Sequence, residues 1–289
     1  MGRDAIAGRL KRLAMEPPIR LLVRSVLKRL PAQASTRALW DISDRPGYLL
    51  GLLHAARRAA RDGIGAIAAI EFGVAGGNGL VALEREAQAV ERELGVAIPV
   101  YGFDNGAAGL PAFIGDHRDH PDKWRPGDFP MDEDLLRSRL GPRTTLVIGD
   151  VAETVARFFD DAEVPPVGFI AFDLDLYSST RQALRILALP GRRTLDHVPL
   201  YFDDVEHSIS HRFAGELLAI DEFNEFYDDM KIDRWRGVAG DRPFPEASYL
   251  RKMYMAHDLR AIAARALDRG PLERRLVSAP AGGAVQSGR

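Results

Sequence analysis

The 289-residue chain balances 39 Lys and Arg against 41 Asp and Glu for a formal net charge of −2, and 46% of its residues are hydrophobic. These values describe a folded globular protein and exclude the overall basic field that draws a protein to nucleic acid, so no nucleic-acid partner is expected. Cysteine is absent, which excludes a disulfide framework, a thiolate metal site and a cysteine nucleophile together.

Residues 5 to 30 (AIAGRLKRLAMEPPIRLLVRSVLKRL) predict two short cationic amphipathic helices broken at Pro17 and Pro18, because apolar residues return at helical spacing on both sides of the break. Such a segment suits a membrane surface. The preferred reading is an N-terminal helical arm over residues 1–62 that packs on its own domain or on a partner subunit, the latter giving a homo-oligomer. The chain has no apolar run of bilayer-spanning length and no signal-peptide pattern. No transmembrane segment is therefore expected, and the cytoplasm is the expected location.

Residues 63–277 read as one domain. Apolar runs of strand length, Ala66 to Val74, Pro99 to Phe103, Thr145 to Ile148, Val167 to Phe172 and Val198 to Phe202, are separated by stretches of helical composition. Continuous rather than alternating hydrophobicity implies strands covered on both faces. The fold class is therefore α/β, a doubly wound parallel sheet whose ligands bind beyond the carboxyl ends of the strands. After the second strand, Gly109 to Arg143 interrupts the rhythm with Pro, Gly, Asp and His before a helical piece at Asp132 to Leu140; Trp124 and Phe129 point to a folded cover loop. Phe213 to Tyr227 predicts a helix, Tyr249 to Ala256 a late strand, and residues 278–289 (SAPAGGAVQSGR) a disordered tail.

The first strand runs into Glu71-Phe72-Gly73-Val74-Ala75-Gly76-Gly77-Asn78-Gly79, and a helix pattern follows at once. Glycines at such a turn let the backbone pass close to a ligand, while free amides at the helix start favour a negative group. Glu71, Phe72, Gly73, Gly76 and Asn78 are thus candidates for a nucleotide-type site, although the spacing is not the dinucleotide fingerprint G-x-G-x-x-G. The second strand closes on Asp104, followed by Asn105, where a carboxylate can accept both hydroxyl hydrogens of a ribose. Asp150, before Val151 at the end of strand three, either receives an adenine amino group or caps the following helix.

Strands four and five end in Asp173-Leu174-Asp175 and Asp203-Asp204-Val205-Glu206-His207. Aspartates crowded into one cleft raise one another's proton affinity unless a cation sits among them. With oxygen ligands and no Cys or paired-His motif, magnesium or a similar ion is preferred over zinc. Capping of the next helix competes for Asp175 and Ser178, and Tyr177 reads as packing.

These segments, EFGVAGGNG, YGFDNGAAGLP, DKWRPGDF, IGDVAET, FDLDLYSST, FDD and AIDEF, occur in one order over residues 70–225. The set resembles the macrocin O-methyltransferase-like branch of class I S-adenosylmethionine-dependent methyltransferases. The resemblance implies a Rossmann-like methyltransferase sheet and O-methylation of a sugar or natural-product hydroxyl, with a small-molecule acceptor as partner. It implies that Glu71, Gly73 and Gly76 line the methionine end of the cofactor, that Asp104 holds the ribose, and that Asp150 and Val151 border adenine. It further implies that Asp173, Asp203 and Asp204 bind the metal, expected to be Mg2+. Methylation of a hydroxyl also needs a base, and Asp175 and His207 are the candidates because each follows one of these strand ends. Asn105-Gly106-Ala107-Ala108 and GRRTLDHVP depart from the pattern. A glycosyltransferase using Asp173-Leu174-Asp175 and a non-catalytic S-adenosylmethionine-binding protein are the alternatives.

Overall fold

A computed structural model describes residues 16, 18–160, 163–240 and 242–265. Seven strands form one sheet: β1 (Ala68–Phe72), β2 (Val100–Asp104), β3 (Thr144–Ile148), β4 (Val167–Phe172), β5 (His197–Phe202), β6 (Met230–Arg234) and β7 (Met253–Asp258). Their order is β3-β2-β1-β4-β5-β7-β6. The first five are mutually parallel, and β7 runs antiparallel to both β5 and β6. This is a doubly wound, Rossmann-like α/β sheet. The chain steps outward from β1 to β2 and β3 and then returns to β4 on the other side of β1. Right-handed crossovers at that reversal put the Asn78–Leu94 and Tyr177–Leu184 helices on opposite faces and open a crevice at the carboxyl ends of β1 and β4.

Register explains what stands at that crevice. Phe72 is opposite Phe103 and Phe172, and Phe172 is opposite Phe202. The four rings form a continuous row, with centroids 4.7, 5.4 and 4.6 Å apart. Each is essentially buried, worth roughly 1.5–3 kcal/mol per ring. Successive side chains point to opposite faces of a strand, so the repeated Phe-Asp pairs at the ends of β2, β4 and β5 set carboxylates at the strand tips beside this aromatic row.

The Pro46–Arg61 helix, placed in the N-terminal arm on sequence grounds, packs on β4 and β5 and beside the Asn78–Leu94 helix. A Cβ at Gly47 would lie 2.7 Å from the Tyr201 ring and one at Gly51 2.3 Å from the Phe169 ring, so glycine there lets the helix press directly on the sheet. The Ile19–Leu27 helix, by contrast, buries no residue. The helix expected before Pro17 and the tail at 278–289 lie outside the described residues. The late strand begins at Met253, after a 3-10 turn at Ser248–Lys252, and β6 joins the sheet without having been foreseen. Among the described residues, no helix is long and apolar enough to cross a membrane.

Candidate functional site

A cleft of about 600 Å³ opens over the carboxyl ends of β1, β2, β4 and β5, walled by the glycine turn, the strand-tip acids and residues from the 109–129 segment. Gly73 has φ 82°, and a Cβ there would fall 1.8 Å from the Asp173 carbonyl oxygen. Only glycine allows the bend to lie against the end of β4. Gly77, at φ 78°, precedes the Asn78–Leu94 helix and packs under Leu136. Arg139 braces the turn from outside, donating to the Gly76 carbonyl at 2.9 Å and to Asn78 Oδ1 at 2.8 Å.

Glu71 lies beneath this turn and is 1% exposed. The Tyr48 hydroxyl donates to its Oε1 at 2.7 Å, while Oε2 is buried without a partner. Burial outweighs the Tyr48 bond and, with the negative charge of Asp173, raises Glu71 to about 8. A lone buried carboxyl oxygen in the wall of a cleft is an unmet demand for a proton or a cation.

Asp104 organises the other wall. Its Oδ2 accepts from the amides of Val74 and Ala75 at 2.8 and 2.9 Å, and its Oδ1 from Gly106 at 2.7 Å. Three of about four acceptor positions on the carboxylate are thereby filled, leaving about one for a ligand hydroxyl. Asn105 Nδ2 donates to the Gly109 carbonyl and steadies the start of the next segment. Asp150 caps its helix, accepting from Ala152 N at 2.7 Å, and it also faces the cleft beside Val151.

At the far end the acids are brought together, but each meets a different partner. Burial, reinforced by the charges of Asp203 and Asp204, raises Asp173 to about 7. Asp175, at φ 61°, is buried and hydrogen-bonded to Asp204. Burial and the neighbouring charges of Asp204 and Asp173 push it far above the usual carboxylate range, so it keeps a proton at neutral pH. Asp204 Oδ1 is 2.7 Å from His207 Nε2 and 3.2 Å from Lys123 Nζ. The backbone amide of Asp204 donates to the fully buried Glu216 at 2.9 Å. Burial works to raise Asp203, but Lys252 at 3.0 Å and the Tyr201 hydroxyl at 3.0 Å outweigh it and hold Asp203 below its ordinary value. Asp175 does not cap the next helix. That role falls to the buried Asp119, which accepts from Ser178 N and Oγ at 2.8 and 2.9 Å. Tyr177 is buried and donates to Glu222 at 2.6 Å.

A divalent cation fits this donor set only in part. Asp204 Oδ2 is buried without a partner and faces the same cleft as Asp173, whereas Asp203 is already neutralised by Lys252. Among the described residues no three acidic or histidine side chains form a group ready for a metal.

Sequence reasoning missed Arg45, which lines the cleft, together with Tyr48, Lys123 and Lys252. All four are cations or donors delivered from distant segments, and local spacing carries no signal of them. Lys123 had the clearest context, standing next to Trp124 with Nζ 3.8 Å from the ring centroid.

No protein-family model matches the chain, and no curated protein matches it. Among solved structures it is similar to CalS11, a calicheamicin methyltransferase, at TM-score 0.49 and 18% identity, covering 84% of this chain and 93% of that one. It is similar to the apo form of CalS11, a TDP-rhamnose 3'-O-methyltransferase, at TM-score 0.42 and 20% identity, covering 89% and 95%. It is also similar to the MycE methyltransferase of mycinamycin biosynthesis, in complex with Mg, SAH and mycinamycin VI, at TM-score 0.34 and 10% identity, covering 71% and 48%. At these values the likeness is a general one and assigns the chain to no family.

Proposed function

We propose that this protein is an S-adenosylmethionine-dependent methyltransferase that methylates a hydroxyl group of a small molecule such as a sugar or natural product. The observation that carries the reading is that one cleft is lined together by a glycine bend, by Glu71 with its unpartnered oxygen and by the Asp204–His207 pair. A cationic ligand answers the unmet demand at Glu71 and Asp173. A nucleotide sugar would bring its diphosphate against the Asp104 carboxylate and the partly ionised Asp173, where like charges repel, and would leave the cation demand of this wall unmet. The Asp173-Leu174-Asp175 element is not free to chelate, because Asp175 is engaged by Asp204.

S-adenosylmethionine supplies an electrophilic methyl group on a sulfonium centre. The chain's part is to hold acceptor and donor in line, an ordering worth on the order of 7 kcal/mol or more in favourable cases. His207 then takes the hydroxyl proton. Its Nε2 faces Asp204, which fixes the Nε2–H tautomer and leaves Nδ1 as the basic nitrogen. Asp175 already holds a proton and is the poorer base. Lys123 and the Glu216-bound backbone of Asp204 keep the Asp204 carboxylate in place. A divalent cation would require Lys252 to leave Asp203 first, and no step above depends on one.

Titration calorimetry tests the reading. S-adenosylmethionine is expected to bind and a sugar nucleotide not to; the reverse result supports a glycosyltransferase instead. His207→Asn is expected to lower kcat by roughly 10²–10⁴ with cofactor affinity retained, and unchanged turnover would remove His207 from the mechanism.

A further inference from the structure

The Ile19–Leu27 helix turns both of its arginines toward the protein and leaves part of its apolar surface outward. Its cations face the protein: Arg20 donates to the Pro243 carbonyl at 2.7 Å and pairs with Glu246 at 2.7 Å, and Arg24 donates to the Asp41 carbonyl at 2.9 Å. Both guanidiniums lie over the Phe244 ring, at 5.1 and 4.9 Å from its centroid. Ile19, Val23 and Leu27 are half-buried, and a second set of apolar side chains faces away. Leu22, Val26 and Leu30 recur at four-residue spacing with Leu21 beside them, and they are 66, 47, 55 and 58% exposed respectively. The hydrogen-bonded turns continue through Leu30, so the stripe is one continuous surface. Lys28 and Arg29 are exposed next to it.

An apolar stripe of four large side chains held outward needs a covering, and charge decides between the candidates. Residues 1–30 carry eight basic side chains (Arg3, Arg9, Lys11, Arg12, Arg20, Arg24, Lys28 and Arg29) against Asp4 and Glu16, a net of +6. The whole chain is at −2, so everything after residue 30 carries −8. A second copy joined through the same stripe would set one strongly cationic segment against another, which like-charge repulsion opposes. An anionic lipid surface supplies both an apolar layer for the leucines and a negative potential for the basic residues, and the acidic remainder of the protein would be turned away from it.

We propose that this segment docks the protein on an anionic membrane surface, with Leu21, Leu22, Val26 and Leu30 entering the headgroup boundary and Lys28 and Arg29 facing the lipid phosphates. Each basic residue brought to such a surface strengthens partitioning about fivefold. The attachment is therefore expected to weaken steeply with salt.

The test is co-sedimentation of the full chain with vesicles of phosphatidylcholine alone and of phosphatidylcholine containing phosphatidylglycerol, with size-exclusion light scattering on the same samples. Sedimentation with the anionic vesicles only, reversed by salt and reduced at least tenfold in a Leu22→Glu, Val26→Glu double variant, is the expected result. The substituted side chains are exposed, so the double variant is expected to keep the parent's circular dichroism and melting temperature. No sedimentation with anionic vesicles would overturn the proposal, as would sedimentation that is equal on neutral vesicles or insensitive to the double variant. A dimer that the double variant disperses, without vesicle binding, would assign the stripe to a second copy and also overturn it.

Discussion

Binding of S-adenosylmethionine is expected to expel a proton from Glu71, and the size of the effect follows from the site. With Glu71 raised to about 8 by burial, about nine in ten molecules carry the proton at pH 7, and removing it costs about 1.4 kcal/mol. A unit positive charge within about 5 Å, at an effective dielectric of about 20, returns roughly 3 kcal/mol. The cation therefore wins, and the carboxylate forms as the ligand enters. Affinity should rise nearly tenfold per pH unit from about 6 to 8 and then level off, with close to one proton released at pH 7. Asp173, raised to about 7, adds a smaller release. Calorimetric titrations in buffers of different ionisation enthalpy count the protons directly. S-adenosylhomocysteine, which lacks the sulfonium charge, should release fewer. Glu71→Gln should flatten most of the pH dependence, and Tyr48→Phe, which removes a hydrogen bond that lowers Glu71, should move the profile to higher pH. Proton release that is the same for both ligands, or affinity that ignores pH in the parent, would refute the electrostatic account of this wall.

The same burial makes the ligand-free fold sensitive to pH. Glu71 and Glu216 are both raised, so the folded chain binds more protons than the unfolded one above the ordinary Glu value near 4.5. Stability should therefore fall as pH rises from there to about 8, and denaturant titrations across that range check the sign. Gly73→Ala places a Cβ on the Asp173 carbonyl and forces alanine to φ 82°; cofactor affinity should drop by about 100-fold or more, and near-parental binding would mean that the bend does not shape the site. Asp119→Ala removes the acceptor for Ser178 N, Ser178 Oγ and Ile114 N. It should destabilise the protein by about 1–3 kcal/mol, measured by urea unfolding. Mg2+ should bind the ligand-free protein weakly, because Lys252 holds Asp203; tight binding abolished by Asp203→Asn would show that the lysine is displaced and the three aspartates close on the ion.

The sequence spoke clearly wherever the governing physics is local. Gly73 is demanded by a bend, Asp150 by a helix start, and the Phe-Asp pairs by strands that end at one edge, so the sheet and the residues lining its crevice were legible. The strand from Met230 to Arg234 was not, because its last two residues are exposed and charged and it has no apolar run. Nor was the place where the N-terminal arm meets the sheet, since Gly47 and Gly51 show their packing role only once the Tyr201 and Phe169 rings are placed against them. The ion pairs that balance the cleft join residues far apart in sequence, Lys123 with Asp204 and Lys252 with Asp203. Clustered aspartates announce repulsion, but whether a metal, a proton or a lysine relieves it is settled only by tertiary structure. Here Lys123, 3.2 Å from Asp204, and Lys252, 3.0 Å from Asp203, supply part of the relief.

A structure of the protein crystallised with S-adenosylmethionine would show where the cofactor sits in the cleft. The sulfonium centre is expected between Glu71 and Asp173, the adenosine extending past Asp104 toward Asp150, and His207 on the side of the transferable methyl. A ligand seated elsewhere, or a cleft that stays empty at saturating cofactor, would contradict this placement.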